Sequence, residues 1–94
     1  MKPLKESEIQ AQVKEYLQLQ GWYVMRHQQG LGALRGLSDL TAIKDGLTIY
    51  LEIKTLKGNL SKYQEAFRDE IISHGGTYLV IRDLSEIIEY LKVI

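Results

Sequence analysis

The chain has 94 residues, with 12 Lys and Arg against 12 Asp and Glu, zero net charge and no cysteine. That composition excludes disulfides, thiolate zinc sites and cysteine nucleophiles, and it argues against a protein that coats nucleic acid through bulk positive charge. A chain of this length, 45% hydrophobic and 26% charged, suits one soluble globular domain over residues 1–94 with a thin core. It has no apolar run fit to span a membrane and no signal-peptide pattern at MKPLKESEIQ, features that suit the cytoplasm.

The first helix is expected from Ser7 to Gln20. Ser7 and Gln10 match a capping box, and Ile9, Val13, Tyr16 and Leu17 recur at helical spacing. Gly21 suits the left-handed residue that ends it. Trp22 to Gln29 is rich in aromatic and β-branched residues and reads as a strand. Gln29 to Gly36, QGLGALRG, reads as a mobile loop. A second strand is expected at about Ser38 to Lys44, and Asp45-Gly46 is a tight hairpin signal. In the returning strand Ile49, Leu51 and Ile53 alternate with Tyr50, Glu52 and Lys54, so Glu52 and Lys54 share a face. On its own the stretch suits a half-buried strand with solvated charges, and Tyr50 suits packing.

Leu60 to His74 is the second long helix, with Ser61 and Gln64 as a capping box and Ala66, Phe67, Glu70 and Ile71 as its inner stripe. Thr77 to Arg82 is an apolar run that suits a central strand, and DLSEIIEYLKVI is a last amphipathic helix capped by Asp83 or Ser85. The order α-β-β-β-α-β-α predicts an α/β fold, a mixed sheet flanked by helices.

A hairpin that turns at Asp45-Gly46 sets Asp39 opposite Glu52. Left uncompensated there, the two carboxylates repel each other, which argues for a shared cation. With Lys54 on the face of Glu52, the group reads as a metal-dependent phosphodiesterase centre. The carboxylates would hold Mg²⁺, and Lys54 would meet charge developing on a phosphate. Arg26, Arg35, Lys57 and Lys62 flank this centre in sequence and are candidate phosphate contacts. His27, beside Arg26, reads as a surface or DNA-contact residue rather than a general base.

Glu8, then GLSD (Gly36 to Asp39), LEIKT (Leu51 to Thr55) and LSKYQ (Leu60 to Gln64), in that order, resemble the VRR-NUC domain. This is the virus-type replication-repair nuclease of the PD-(D/E)xK restriction-endonuclease-like superfamily. The resemblance runs from about Ser7 to Arg82. It implies a restriction-endonuclease-like fold in which Asp39, Glu52 and the backbone carbonyl of Ile53 hold Mg²⁺ or Mn²⁺. It implies Lys54 as the catalytic lysine, Glu8 facing the metal through water, and Gln64 ordering water and phosphate. Ser38 stands where the superfamily has proline. On local grounds Glu8 also reads as a first-turn acid favoured by the helix dipole, and Gln64 as the partner in its capping box.

The resemblance further implies a structure-selective DNA endonuclease from a bacterial or phage-infected cell, with no small-molecule cofactor. Minimal domains of this kind resemble Holliday-junction resolvases, so the expected partners are branched DNA and a second copy of the chain. Leu31, Leu34 and Leu37 lie in the glycine-rich loop with no evident place in a thin core, and they suit a dimer contact or a wedge into the junction. A nuclease acting on flaps, nicks or general duplex is the alternative enzyme. A catalytically silent DNA-binding module is the alternative from another class.

Overall fold

The computed structural model describes residues 2–30 and 32–94; Leu31, one of the three loop leucines, lies outside them. The elements are α1 (Glu6–Leu19), β1 (Tyr23–Arg26), β2 (Leu40–Lys44), β3 (Leu47–Ile53), α2 (Lys62–Ser73), β4 (Thr77–Ile81) and α3 (Leu84–Lys92). They form the expected order, an α/β arrangement with one mixed sheet. Its strands lie in the order β1-β2-β3-β4, the first three antiparallel and β4 parallel to β3. Among the described residues no helix is long and apolar enough to cross a membrane.

Alternation along the strands divides the side chains between two faces. One face carries Val24, Leu40, Ala42, Ile49, Leu51, Ile53 and Ile81, buried against Ile9, Val13 and Leu17 of α1 and Ile87 of α3. Each Val, Leu or Ile among them contributes about 1.5–3 kcal/mol when taken out of water. The other face carries Tyr50 and Tyr78, and Phe67 of α2 meets both rings edge-on, with centroids 5.8 and 6.2 Å away. Tyr50 thus packs, as its place in the strand suggested. The coverage is partial: no residue of α2 is fully buried, and Ala66 and Glu70 of its expected inner stripe are exposed. The helix lies along β4, leaving the β1 side of this face open, with Tyr23 67% exposed.

The hairpin register is the expected one. Leu40 pairs with Leu51 and Lys44 with Leu47, so Asp39 and Glu52 are the next positions outward. Asp45 (φ 51°) and Gly46 (φ 82°) both turn left-handed, as a two-residue hairpin requires. Strand β1 is shorter than the expected Trp22–Gln29, although the His27 N–H still donates to the Asp39 carbonyl at 2.9 Å. Helix α3 is capped by Asp83, whose side chain accepts from the Glu86 N–H at 3.3 Å.

Helix α1 starts before Ser7, and the cap differs from the expected Ser7–Gln10 box. The N-cap is Lys5, and the Glu8 carboxylate accepts from its backbone N–H at 2.9 Å. Glu8 holds the third position of the helix, where a carboxylate satisfies a free N–H and suits the helix dipole.

Candidate active site

Glu52 enters from β3 onto the face that α2 shares, and it is only 2% exposed. A solvated Glu/Lys face is therefore not what the strand makes here. The cover comes in part from the first turn of α2. Ser61 Oγ accepts from the Gln64 N–H at 3.2 Å, while Gln64 Oε1 accepts from the Ser61 N–H at 2.9 Å. That box fixes the amide so that Gln64 Nε2 donates to Glu52 Oε2 at 3.1 Å. Gln64 thus caps the helix with one end of its amide and reaches Glu52 with the other.

The Lys54 ammonium lies 3.7 Å from Glu52 Oε2, with its side chain only 13% exposed. Asp39 Oδ2 accepts from the Ile53 N–H at 2.7 Å, which ties that carboxylate across the mouth of the hairpin. The other Glu52 oxygen, Oε1, is buried with no hydrogen-bond partner. Burial and then the neighbouring Asp39 charge push the Glu52 carboxyl up to about 8. A hydrogen bond with Asp39 in the protonated form adds to this, Lys54 opposes it, and Glu6 reinforces it. The Tyr78 hydroxyl is also buried and unpartnered, and burial, with the charges of Glu52 and Asp39, raises its pKa well above the usual phenol value.

A buried carboxylate oxygen without a donor, beside a second carboxylate, is completed by either a proton or a cation. The donor set is hard oxygen, which fits Mg²⁺ or Mn²⁺. Among the described residues no three His, Cys, Asp or Glu side chains converge, so the carboxylate set is a pair. Carbonyl oxygen, such as that of Ile53 next along the strand, and water would supply the rest; Mg²⁺ characteristically keeps several waters.

Glu8 is exposed, and its carboxylate accepts from the Lys5 N–H at the head of α1. The half-buried His27 ring contacts the Thr41 hydroxyl at 2.6 Å.

The candidate phosphate contacts are not gathered at one place. Arg26 pairs with Leu40 and so lies on the face opposite Glu52. Arg35 stacks over Tyr63, 4.9 Å from the ring centroid. Lys57 lines an apolar groove with Leu4, Ile9 and Leu56, and Lys62 is exposed at the start of α2. A residue that drew no attention in the sequence, Arg82, organises the turn after β3: its guanidinium donates to the carbonyls of Thr55 at 2.6 Å and Gly58 at 2.7 Å.

Thermal melts of Gln64→Ala are expected to show a loss of about 1 kcal/mol, from the cap and the bond to Glu52 together. Gln64→Glu keeps an acceptor for the Ser61 N–H but removes the donor to Glu52. Its deficit is expected to widen as pH rises from about 5 to about 8, where two adjacent carboxylates would ionise.

No family model matches the chain, and no curated protein matches it. Solved structures do. One, a VRR_NUC domain, superposes with a TM-score of 0.80 at 17% identity, covering 93% of this chain and 94% of that one. Another, a VRR_NUC domain protein, superposes with a TM-score of 0.81 at 18% identity, covering 97% of this chain and 88% of that one. With the strand order, the flanking helices and nearly full coverage on both sides, the chain has the fold of a VRR_NUC domain.

Proposed function

We propose that this domain is a DNA endonuclease that hydrolyses a phosphodiester at Asp39, Glu52 and Lys54, with Mg²⁺ or Mn²⁺ as its cofactor. The observation that carries this reading is the buried Glu52 carboxylate. One of its oxygens is held by Gln64 and lies near Lys54, and the other has no partner. A carboxylate kept dry for packing alone would be costly, because its ionised form is disfavoured there. A bound divalent cation supplies Lewis acidity, lowering the pKa of a water and neutralising phosphate charge.

The protein groups divide the remaining work. Gln64 and Lys54 orient Glu52, and the Ile53 N–H orients Asp39. The Lys54 ammonium also faces the charge that grows on the phosphate oxygens. A water oxygen attacks phosphorus, the bond to one bridging oxygen breaks, and that oxygen takes a proton from solvent as the water loses one. Arg35 and Lys62, both exposed, are the cations this reading assigns to flanking phosphates.

In the finer reading the substrate is a four-way junction and the active form a homodimer, whose two-fold axis would set two centres on opposing strands. Leu34 supports it. The side chain is 63% exposed beside an apolar hollow of about 300 Å³ lined by Ala66, Phe67 and Ile71. Contiguous exposed apolar surface of this kind marks contact sites. Leu34→Asp is expected to weaken association in sedimentation velocity, or to turn paired cuts on a cruciform plasmid into single nicks.

The test of the activity is a cleavage panel of junction, flap, nicked duplex and single strand, with Mg²⁺, Mn²⁺ or EDTA. Metal-dependent cutting with a junction preference is expected. A preference for flaps from a protein that stays monomeric on DNA would replace the junction reading. Binding without cleavage under every metal would make the domain a silent DNA-binding module.

A further inference from the structure

We infer that Gly36 is a positioning residue of this centre: it joins the loop before Asp39 to the helix turn that carries Gln64, and so sets the two carboxylates relative to each other. The inference rests on the nuclease reading for its catalytic consequence, but not for the joint itself.

The joint is visible in the backbone. Leu34 to Leu37 form a turn, closed by the Leu37 N–H donating to the Leu34 carbonyl at 3.2 Å. Gly36, in the third position, has φ +79°, the left-handed conformation that such a turn assigns to glycine. It also lies flat against the first turn of α2. A Cβ built on Gly36 would come within 2.9 Å of the Gln64 nitrogen and closer still to the Tyr63 carbonyl. These are main-chain atoms that cannot swing aside as a side chain can. The space and the dihedral angle thus demand glycine independently.

Two further contacts fasten the same joint. Arg35 lies over the Tyr63 ring and donates from Nη1 to its hydroxyl at 2.5 Å. On the other flank Gln29 Nε2 donates to the Leu37 carbonyl at 2.7 Å. The chain then runs through buried Ser38 directly into Asp39. On the far side of the joint, the Gln64 N–H is the donor of the helix cap, and its side chain holds Glu52. A displacement at Gly36 therefore reaches one carboxylate along the chain and the other through Gln64.

The test is a mutant cycle. Gly36→Ala is expected to lower the single-turnover cleavage rate at saturating DNA and metal by about 10²-fold, the scale of an ångström-sized misplacement. DNA affinity should change far less. In a Gln64→Ala background the same substitution should cost much less, because part of its route is already cut. Amide exchange at Gln64 and Glu65 should quicken in Gly36→Ala without DNA or metal present.

If Gly36→Ala does not fold, Arg35→Ala loosens the joint from the surface and should give a smaller effect with the same dependence on Gln64. A direct Arg35–phosphate contact would instead persist in the Gln64→Ala background. Unchanged exchange at Gln64, or a rate loss that is the same with and without the Gln64 side chain, overturns the proposal. A wild-type protein that cuts nothing overturns the nuclease reading, and the exchange measurement then decides the joint by itself.

Discussion

Glu52→Gln is expected to abolish metal-dependent cleavage and, in the absence of metal, to make the protein more stable at about pH 8. The first effect follows from removing a charged oxygen ligand. The second follows from the carboxyl being raised from 4.5 to about 8 in the folded chain. A group whose folded pKa exceeds its unfolded one supports the fold fully below the unfolded value and loses that support as pH rises through the folded value. Metal-free wild-type protein should therefore lose stability between about pH 4.5 and about pH 8, by an amount on the order of a few kcal/mol. Glu52→Gln has no charge to force into the dry site, so its melting midpoint should be nearly flat across that window. Several degrees should separate the two proteins at the alkaline end. Mg²⁺ should raise the wild-type midpoint there and leave the variant's unchanged, because only a ligand that binds the folded site stabilises it. Asp39→Asn should also be inactive, while its amide oxygen can still accept from the Ile53 N–H. Cleavage by either variant at the wild-type rate would remove these residues from the chemistry. A wild-type midpoint that does not fall from about pH 5 to about pH 8 would remove the electrostatic account of Glu52.

Lys54→Ala should slow single-turnover cleavage by about 10²-fold or more, the usual scale for losing one preorganised electrostatic donor. The ammonium is held near Glu52 on a largely dry side chain, so it is oriented before substrate arrives. Affinity for DNA should change only a few-fold, because one partly buried cation contributes little to a backbone grip shared among exposed ones. Lys54→Arg should not restore the rate: the guanidinium is planar and broader than the point charge it replaces. The assay needs saturating metal, since loss of Lys54 also removes the charge that opposes protonation of Glu52. A variant weakened only in affinity, with its single-turnover rate intact, would make Lys54 an ordinary phosphate contact.

Much of the centre was legible because it is built from short-range rules. An Asp-Gly turn admits one hairpin register, and that register alone brings Asp39 to Glu52. Period-2 alternation puts Lys54 with Glu52, and the Ser61–Gln64 box is a local pattern that formed as written. Errors arose where several local solutions have similar energy. Lys5 and Ser7 both allow a helix start, and the structure takes Lys5, with Glu8 rather than Gln10 as the partner in the box. The inner stripe of α2 was drawn too wide because periodicity shows which residues share a face, not how much of that face meets a sheet.

The sequence by itself determined the order of the elements, the hairpin register and the pairing of the carboxylates, since each depends on neighbours a few residues apart and on the turn that joins them. Only the tertiary structure decided that Glu52 is dry, because its cover comes from Gln64 on another element. It decided that Arg26 lies away from the pair while Arg35 reaches Tyr63. It decided, too, that Gly36 has no room for a side chain, because the atoms that exclude one belong to Tyr63 and Gln64 on a helix formed much later in the chain. Burial and close approach are properties of surfaces brought together by packing, and no local pattern in the chain encodes them.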